Sequence, residues 1–411
     1  MKELTGAKHW FHEKRFGLFV HWGIYAAGGI HEQEEWRLHV PPETYRRYAD
    51  VFDPKRFDPA EWLDMAQDAG MEYLVFTAKH HDGFCMWDTR ETDYSIMHTP
   101  YGRDVLRMLA DECHRRDFPL ELYYSCVDWH HPAYPNLGRH HEIETDPSRH
   151  DFPVYMAFLK RQIRELCTNY GRIHGIWWDM NVPQVMDPSV AELIAELQPG
   201  AVVNDRGYGP GDFSTPERDF QEEAAAPFAA PTEACESVGQ FSWGYRRDED
   251  YFSVRALERK IALYTALGGN FLLNAGPDAE GRFPERARDI FRRLGRWYKA
   301  VAPALTARPC PGVIDRPGML CTGGGRELNL ILLEPPAGEA LKLGLQTPLP
   351  RRAMLLNSGV ELLPTMGPDI SLTPPELTLR HLPADRMNDE IQVIRLTFDA
   401  DVIRAGKTAD A

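Results

Sequence analysis

The chain has 411 residues, 43% of them hydrophobic and 26% charged, which is ordinary for a globular protein and longer than one average domain. Its net charge of −15 speaks against nucleic acid or an anionic membrane as a partner, since both select a basic surface. No apolar run approaches the roughly 20 residues of a membrane span, and the opening MKELTGAKHWFHEKRFG lacks an apolar signal core, so the chain as it stands reads as cytoplasmic unless a signal has been removed.

In chain order, strand-like runs alternate with helical faces, and the runs stop on reactive side chains. FGLFVHWG (Phe16–Gly23) ends on His21 and Trp22, and Glu35 and Trp36 follow in a loop. Asp58-Pro59-Ala60-Glu61 combines an N-cap, a proline at the first helical position and a glutamate three residues past the cap. Trp62, Met65, Ala66 and Ala69 supply the apolar face of that helix, and Gly70 its end. YLVFTAKHHDGF (Tyr73–Phe84) ends on Lys79, His80 and His81, and Asp104 caps the helix of Leu106, Leu109 and Cys113. LELYYSCVDWHH (Leu120–His131) ends on Tyr124, Asp128, Trp129 and two histidines; His130, His131, His140 and His141 sit near a turn and read as a solvated loop or as a substrate contact.

A third helix carries Tyr155, Phe158, Leu159, Ile163 and Leu166, and then IHGIWWDM (Ile173–Met180) ends on Trp177, Trp178 and Asp179. Asp187-Pro188 opens a fourth helix, Ser253 caps a fifth and Pro284 starts a sixth. Shorter strands fit at Ala201–Gly207, Glu233–Val238 and Asn270–Pro277. In a parallel barrel the strand C-termini converge on the face that holds the active site. The alternation therefore predicts a (β/α)8-like, TIM-type barrel, irregular in places, over residues 1–305. A doubly wound open sheet is the alternative, weakened by the lack of a Gly-rich phosphate turn after the first strand. Past the proline-rich joint Thr306–Gly312 the runs become short and alternating, as in IQVIRLTF (Ile391–Phe398), which predicts a small antiparallel β-sandwich over residues 308–405.

Cys85, Cys113, Cys126, Cys167, Cys235, Cys310 and Cys321 are scattered, with no Cys-x-x-Cys pair, and read as buried thiols rather than metal ligands or disulfides. His80 and His81 are a poor metal pair, because neighbours in a strand point to opposite sides. No metal and no cofactor is expected. His21, Glu35, Trp36, His80, His81, Tyr124, Trp177, Asp179, Arg206, Glu233, Trp243 and Tyr245 instead suit a polyhydroxylated ring, combining hydroxyl partners with aromatic faces. Glycoside hydrolysis needs two carboxyl groups in different protonation states; Asp179 at a strand end suits the ionised one, and a carboxyl from a later segment suits the acid.

Five segments resemble glycoside hydrolase family 29, the α-L-fucosidases: FGLFVHWG, KHHDGFCMW, IWWDM, EACESVGQFSWGYRRD and GGNFLLNAGPDAEG, in order from Phe16 to Gly281. The resemblance implies a retaining exo-α-L-fucosidase acting on terminal α-L-fucose of glycoconjugates or oligosaccharides. Asp179 is then the nucleophile and Glu233 the general acid/base, with Glu217, in GDFSTPE, as the alternative acid. It implies that His21, Glu35, Trp36, His80, His81, Tyr124, Trp177 and Arg206 line the fucose pocket, with Trp243 a further substrate contact. Met180 stands where the family commonly has glycine, and Thr232 where it often has tryptophan. A sugar-binding barrel without turnover and a metal-dependent hydrolase are the competing readings. Linkage preference and oligomeric state, a homo-oligomer included, stay open.

Overall fold

Seven strands curl into one sheet: β1 (Phe16–Val20), β2 (Leu74–Lys79), β3 (Leu120–Ser125), β4 (Gly175–Asp179), β5 (Val202–Val203), β6 (Glu233–Ser237) and β7 (Asn270–Ala275), in the order β5-β4-β3-β2-β1-β7-β6. The computed structural model describes residues 4–136, 143–182, 184–217, 226–314, 316–344, 348–367 and 376–401. His140, His141, Glu222 and Glu223 lie outside them. Pairing is parallel from β7 through β1, β2, β3 and β4 to β5. Among the described residues between β5 and β6 there is no regular strand. Isolated parallel bridges join Asn204 to Phe213, Ser214 to Thr232 and Glu217 to Cys235. Residues 213–217 thus run between the two edge strands as an irregular eighth stave of a TIM-like barrel.

The helices between strands begin where local chemistry requires. Asp58, Asp104, Asp151 and Asp187 each accept a backbone N–H from the first turn of the helices Pro59–Asp68, Val105–Arg115, Phe152–Asn169 and Pro188–Leu197. Gly70 and Gly171 leave the first and third of these with φ of 81° and 68°, a backbone region glycine enters without a Cβ clash.

Inside the curled sheet, Phe19, Tyr73, Val75, Tyr123, Trp177, Val202, Phe213, Cys235 and Leu272 pack as one apolar cluster. Strand alternation sends their neighbours outward. Tyr123 pairs with Trp177 across β3 and β4 and faces inward, whereas Tyr124 faces the helix Phe152–Asn169, its hydroxyl donating to Gln162 Oε1 at 2.6 Å.

The C-terminal strands are β8 (Met319–Gly324), β9 (Glu327–Leu332), β10 (Ala340–Lys342), β11 (Arg352–Leu355), β12 (Val360–Met366), β13 (Leu377–Arg380) and β14 (Gln392–Thr397), ordered β10-β13-β12-β11-β14-β9-β8. Every resolved pairing among them is antiparallel. β12 pairs with β11 through Val360–Leu362 and with β13 from Leu363 onward, so one strand serves two halves of a sandwich around a leucine-rich core. Two units emerge from the contacts: residues 1–219, 230–251 and 271–291, and residues 220–229, 252–270 and 292–411. The division expected near residue 305 therefore differs: residues 252–270 and 292–305 group with the sandwich strands.

His174 clamps the start of β3 to the segment leading into β4. Its backbone N–H donates to Leu120 O at 2.7 Å and its Nδ1 accepts from Leu120 N at 3.2 Å. Burial pushes this imidazole down to about 4. On acidification between about pH 6.5 and 4 the unfolded chain takes up a proton there that the folded chain refuses, so stability falls with pH across that window. His174→Gln, which keeps an acceptor for Leu120, should lose less stability than the parent between pH 7 and 5; urea midpoints at the two pH values measure it.

Candidate active site

A cavity of about 720 Å³ opens at the C-terminal ends of these strands. His21 and Asp179 reach it from the ends of β1 and β4, His80 and His81 from the turn after β2, and Tyr123 and Trp177 from within β3 and β4. Arg206 and Glu217 come from the segment after β5, and Trp243 from the loop after β6.

Asp179 is the most heavily supported group. Its Oδ2 accepts from the Tyr123 hydroxyl at 2.8 Å, its Oδ1 from Arg206 Nη1 at 3.2 Å, and His81 Nε2 lies 3.8 Å from Oδ2. Burial alone would push this carboxyl up; the Arg206 guanidinium, the His81 ring and the Tyr123 hydroxyl outweigh it and hold Asp179 below the usual aspartate range. The same Arg206 Nη1 donates to Glu217 Oε1, so one cation bridges two carboxylates at the cavity wall. Arg206 is fixed in turn by Thr215 O, and its guanidinium carbon stands 5.0 Å from the Trp177 ring.

The histidines are oriented from behind. Asn274 Nδ2 donates to Trp243 O and Ser237 Oγ, so its Oδ1 is the acceptor, and His21 Nδ1 donates to it at 2.7 Å. Burial lowers His21 to about 4 and leaves it neutral. Ser125 Oγ donates to Val127 O, which makes His81 Nδ1 the donor in its 2.6 Å contact with that hydroxyl. The His80 ring stacks on Tyr123 at 5.6 Å.

Five expected residues stand off the cavity wall, Glu233 among them. Tyr124 is outside the barrel, for the alternation reason given above; Tyr123 takes the place at the cavity. Glu35 and Trp36 are in a short helix (Glu34–Arg37) and do not line the cavity. Burial, with the nearby Asp82 charge, raises Glu35 to about 9. Tyr245 is also off the cavity wall.

Glu233 is the largest departure. It is fully buried and absent from the cavity wall, accepting from Tyr73 OH at 2.6 Å and Trp177 Nε1 at 3.0 Å. The reason is strand geometry. Cys235, two residues on and on the same face of β6, does line the cavity, so Glu233 lies one side-chain layer deeper, about 7 Å down the barrel. There it neighbours Glu121, whose carboxyl has no hydrogen-bond partner among the described residues, and burial raises both groups. Glu217, bridged to Cys235, sits at the cavity level instead.

Besides Tyr123, Glu32 and Phe241 are among the wall residues that the sequence did not single out. Glu32 Oε2 accepts from Ser242 Oγ, Trp243 N and Gly244 N at 2.7–3.2 Å and so shapes the loop that presents Trp243. Phe241 lies on the same loop. Met180, in the glycine position after Asp179, takes φ of 61°, which explains why glycine suits that site. Lys79 and Asp128 are not at the cavity; they form a buried pair at 2.7 Å against the Tyr124 ring. His130 stacks on Tyr94 and His131 packs on Phe158, so neither belongs to a merely solvated turn.

A family model described as Alpha-L-fucosidase matches residues 2–302. Rat plasma alpha-L-fucosidase is 27% identical over 332 residues, covering 72% of this chain and 70% of its own length. Human tissue alpha-L-fucosidase is 27% identical over 331 residues, covering 72% and 69%. In structure the chain resembles alpha-L-fucosidase isoenzyme 1 from Paenibacillus thiaminolyticus, with a TM-score of 0.85, 30% identity and coverage of 96% and 99%. It also shares its fold with a Bacteroides thetaiotaomicron GH29 alpha-L-fucosidase trapped as a covalent intermediate, with a TM-score of 0.80, 24% identity and coverage of 96% and 97%. By sequence motifs, barrel and family match together, the chain belongs to the α-L-fucosidase family of glycoside hydrolases.

Proposed function

We propose that the protein is a retaining exo-α-L-fucosidase releasing terminal fucose from glycoconjugates or oligosaccharides, with Asp179 as nucleophile and Glu217, rather than Glu233, as general acid/base. The observation that carries this reading is the Arg206 bridge: two carboxyl groups, one of them held in its ionised form, share one guanidinium on the cavity wall. The capture of the Bacteroides thetaiotaomicron fucosidase as a covalent intermediate supports the double displacement. Retention requires the two carboxyl groups on opposite sides of the anomeric carbon at about 5–5.5 Å.

Asp179, ionised, attacks C1 of the fucosyl group while Glu217 delivers a proton to the departing oxygen. As the acid, Glu217 needs its proton while the glycoside is bound, and a substrate that excludes water from it raises its proton affinity. Once Asp179 is esterified its charge is gone. Arg206 is then free to hold Glu217 as a carboxylate, the state that removes a proton from the incoming water. Neutral His21, with Nδ1–H committed to Asn274, offers Nε2 as an acceptor to a sugar hydroxyl. Trp177 and Trp243 supply aromatic walls for the sugar's apolar face and methyl group.

Azide separates the two roles. Asp179→Ala should lose at least about a thousandfold in kcat/KM and, with azide, yield β-L-fucosyl azide by a single displacement. Glu217→Ala should retain activity best on 4-nitrophenyl fucoside and yield α-L-fucosyl azide; that product from Glu233→Ala instead would return the role to Glu233. Glu233→Gln keeps an acceptor for Trp177 and should stay within about tenfold of the parent, with no azide adduct. Tyr123→Phe removes one hydrogen bond from the Asp179 carboxylate. Its pKa should rise, moving the acid limb of the kcat/KM profile upward; an unmoved limb would separate that limb from Asp179.

A further inference from the structure

The cavity is larger than a terminal fucose needs. Its volume of about 720 Å³ suits a drug-sized ligand and exceeds what one deoxyhexose ring fills. Exposure rises steeply from floor to rim: Trp177 is 1% exposed and His21 5%, whereas Phe241 and Met186, which also line the cavity, are 52% and 62% exposed. Among the described residues Phe241 is the sole phenylalanine left exposed.

That exposure is enforced by hydrogen bonds. The N–H groups of Phe241 and Ser242 donate to the Glu249 carboxylate at 2.9 and 3.2 Å. Glu32 accepts from Ser242 Oγ, Trp243 N and Gly244 N. Two carboxylates therefore pin the backbone of residues 241–244 from behind, which places Phe241 at the mouth and leaves little backbone entropy to lose on binding. The Arg246 guanidinium carbon lies 5.2 Å from the ring centroid and covers one face, leaving the other for a ligand.

We infer that Phe241 is the platform of the leaving-group subsite, and that the protein is built for fucosides whose aglycone presents a ring with an apolar face, as a pyranose of an oligosaccharide does. The inference rests on the exo-fucosidase reading of the cavity. The C–H groups on one side of a pyranose match the negative face of an aromatic ring. Met186 adds an apolar contact on the rim, and Gln33 and Arg37, also on the cavity wall, are donors for the outward hydroxyls.

α-L-fucosyl fluoride has no aglycone ring and serves as the internal reference. In Phe241→Ala, the ratio of kcat/KM for a fucosylated disaccharide to that for the fluoride should fall about tenfold, mainly through KM. Phe241→Tyr, which keeps the aromatic face, should restore it. A ratio that stays constant in Phe241→Ala, or one that Phe241→Tyr fails to restore, overturns the platform. A parent protein that hydrolyses neither substrate overturns the fucosidase reading beneath it.

Discussion

A carboxylate drawn largely out of water in the cavity wall is expensive, and the groups around Asp179 answer that cost. An unpaired buried charge costs several kcal/mol, and a hydrogen bond to a charged group returns about 1.5–3 kcal/mol. Asp179 has a hydroxyl, a guanidinium and an imidazole around it, and the balance falls on the side of ionisation. Each of those three partners is itself held: Tyr123 in the barrel interior against His80, Arg206 by Thr215 O and Glu217, His81 by Ser125. Asp179 is thus held ionised by the fold before any substrate arrives.

The barrel arranges its polar groups in layers. On β6, Cys235 belongs to the cavity and Glu233 to the layer beneath, where Tyr73 and the indole N–H of Trp177 satisfy it. Glu233 thereby holds the position of an aromatic wall without touching the cavity. Glu217 reaches the upper layer on residues 213–217, which among the described residues are joined to the edge strands by isolated bridges and follow a different path from a regular strand. That irregular path, absent from an idealised barrel, brings Glu217 to the level of Asp179. A regular eighth strand would leave its side chains committed to the alternation of the interior.

Much of this was legible in the chain. The strand runs ending on His21, His80, His81, Trp177 and Asp179 marked one face of a barrel, and the caps Asp58, Asp104, Asp187 and Ser253 hold the helices they announce. These signals are local: alternation, capping and turn chemistry act within a few residues. In the pair Tyr123-Tyr124 the alternation that assigns one to the interior was present, but the phase was not, since it depends on the register with Trp177 on a neighbouring strand. The same holds for Glu217 and Glu233, which both lie in the right stretch of chain.

By itself, then, the amino-acid order determined the barrel, the end of it that carries chemistry, the sandwich that follows and the family. It also singled out Asp179, because two tryptophans and an abrupt strand end are a short-range pattern. Which carboxyl shares Arg206 with Asp179, which tyrosine supports it, and which side chains sink a layer below were decided only when the strands paired. Depth in a barrel is set by hydrogen-bond register between segments far apart in the chain, and no single segment carries that information.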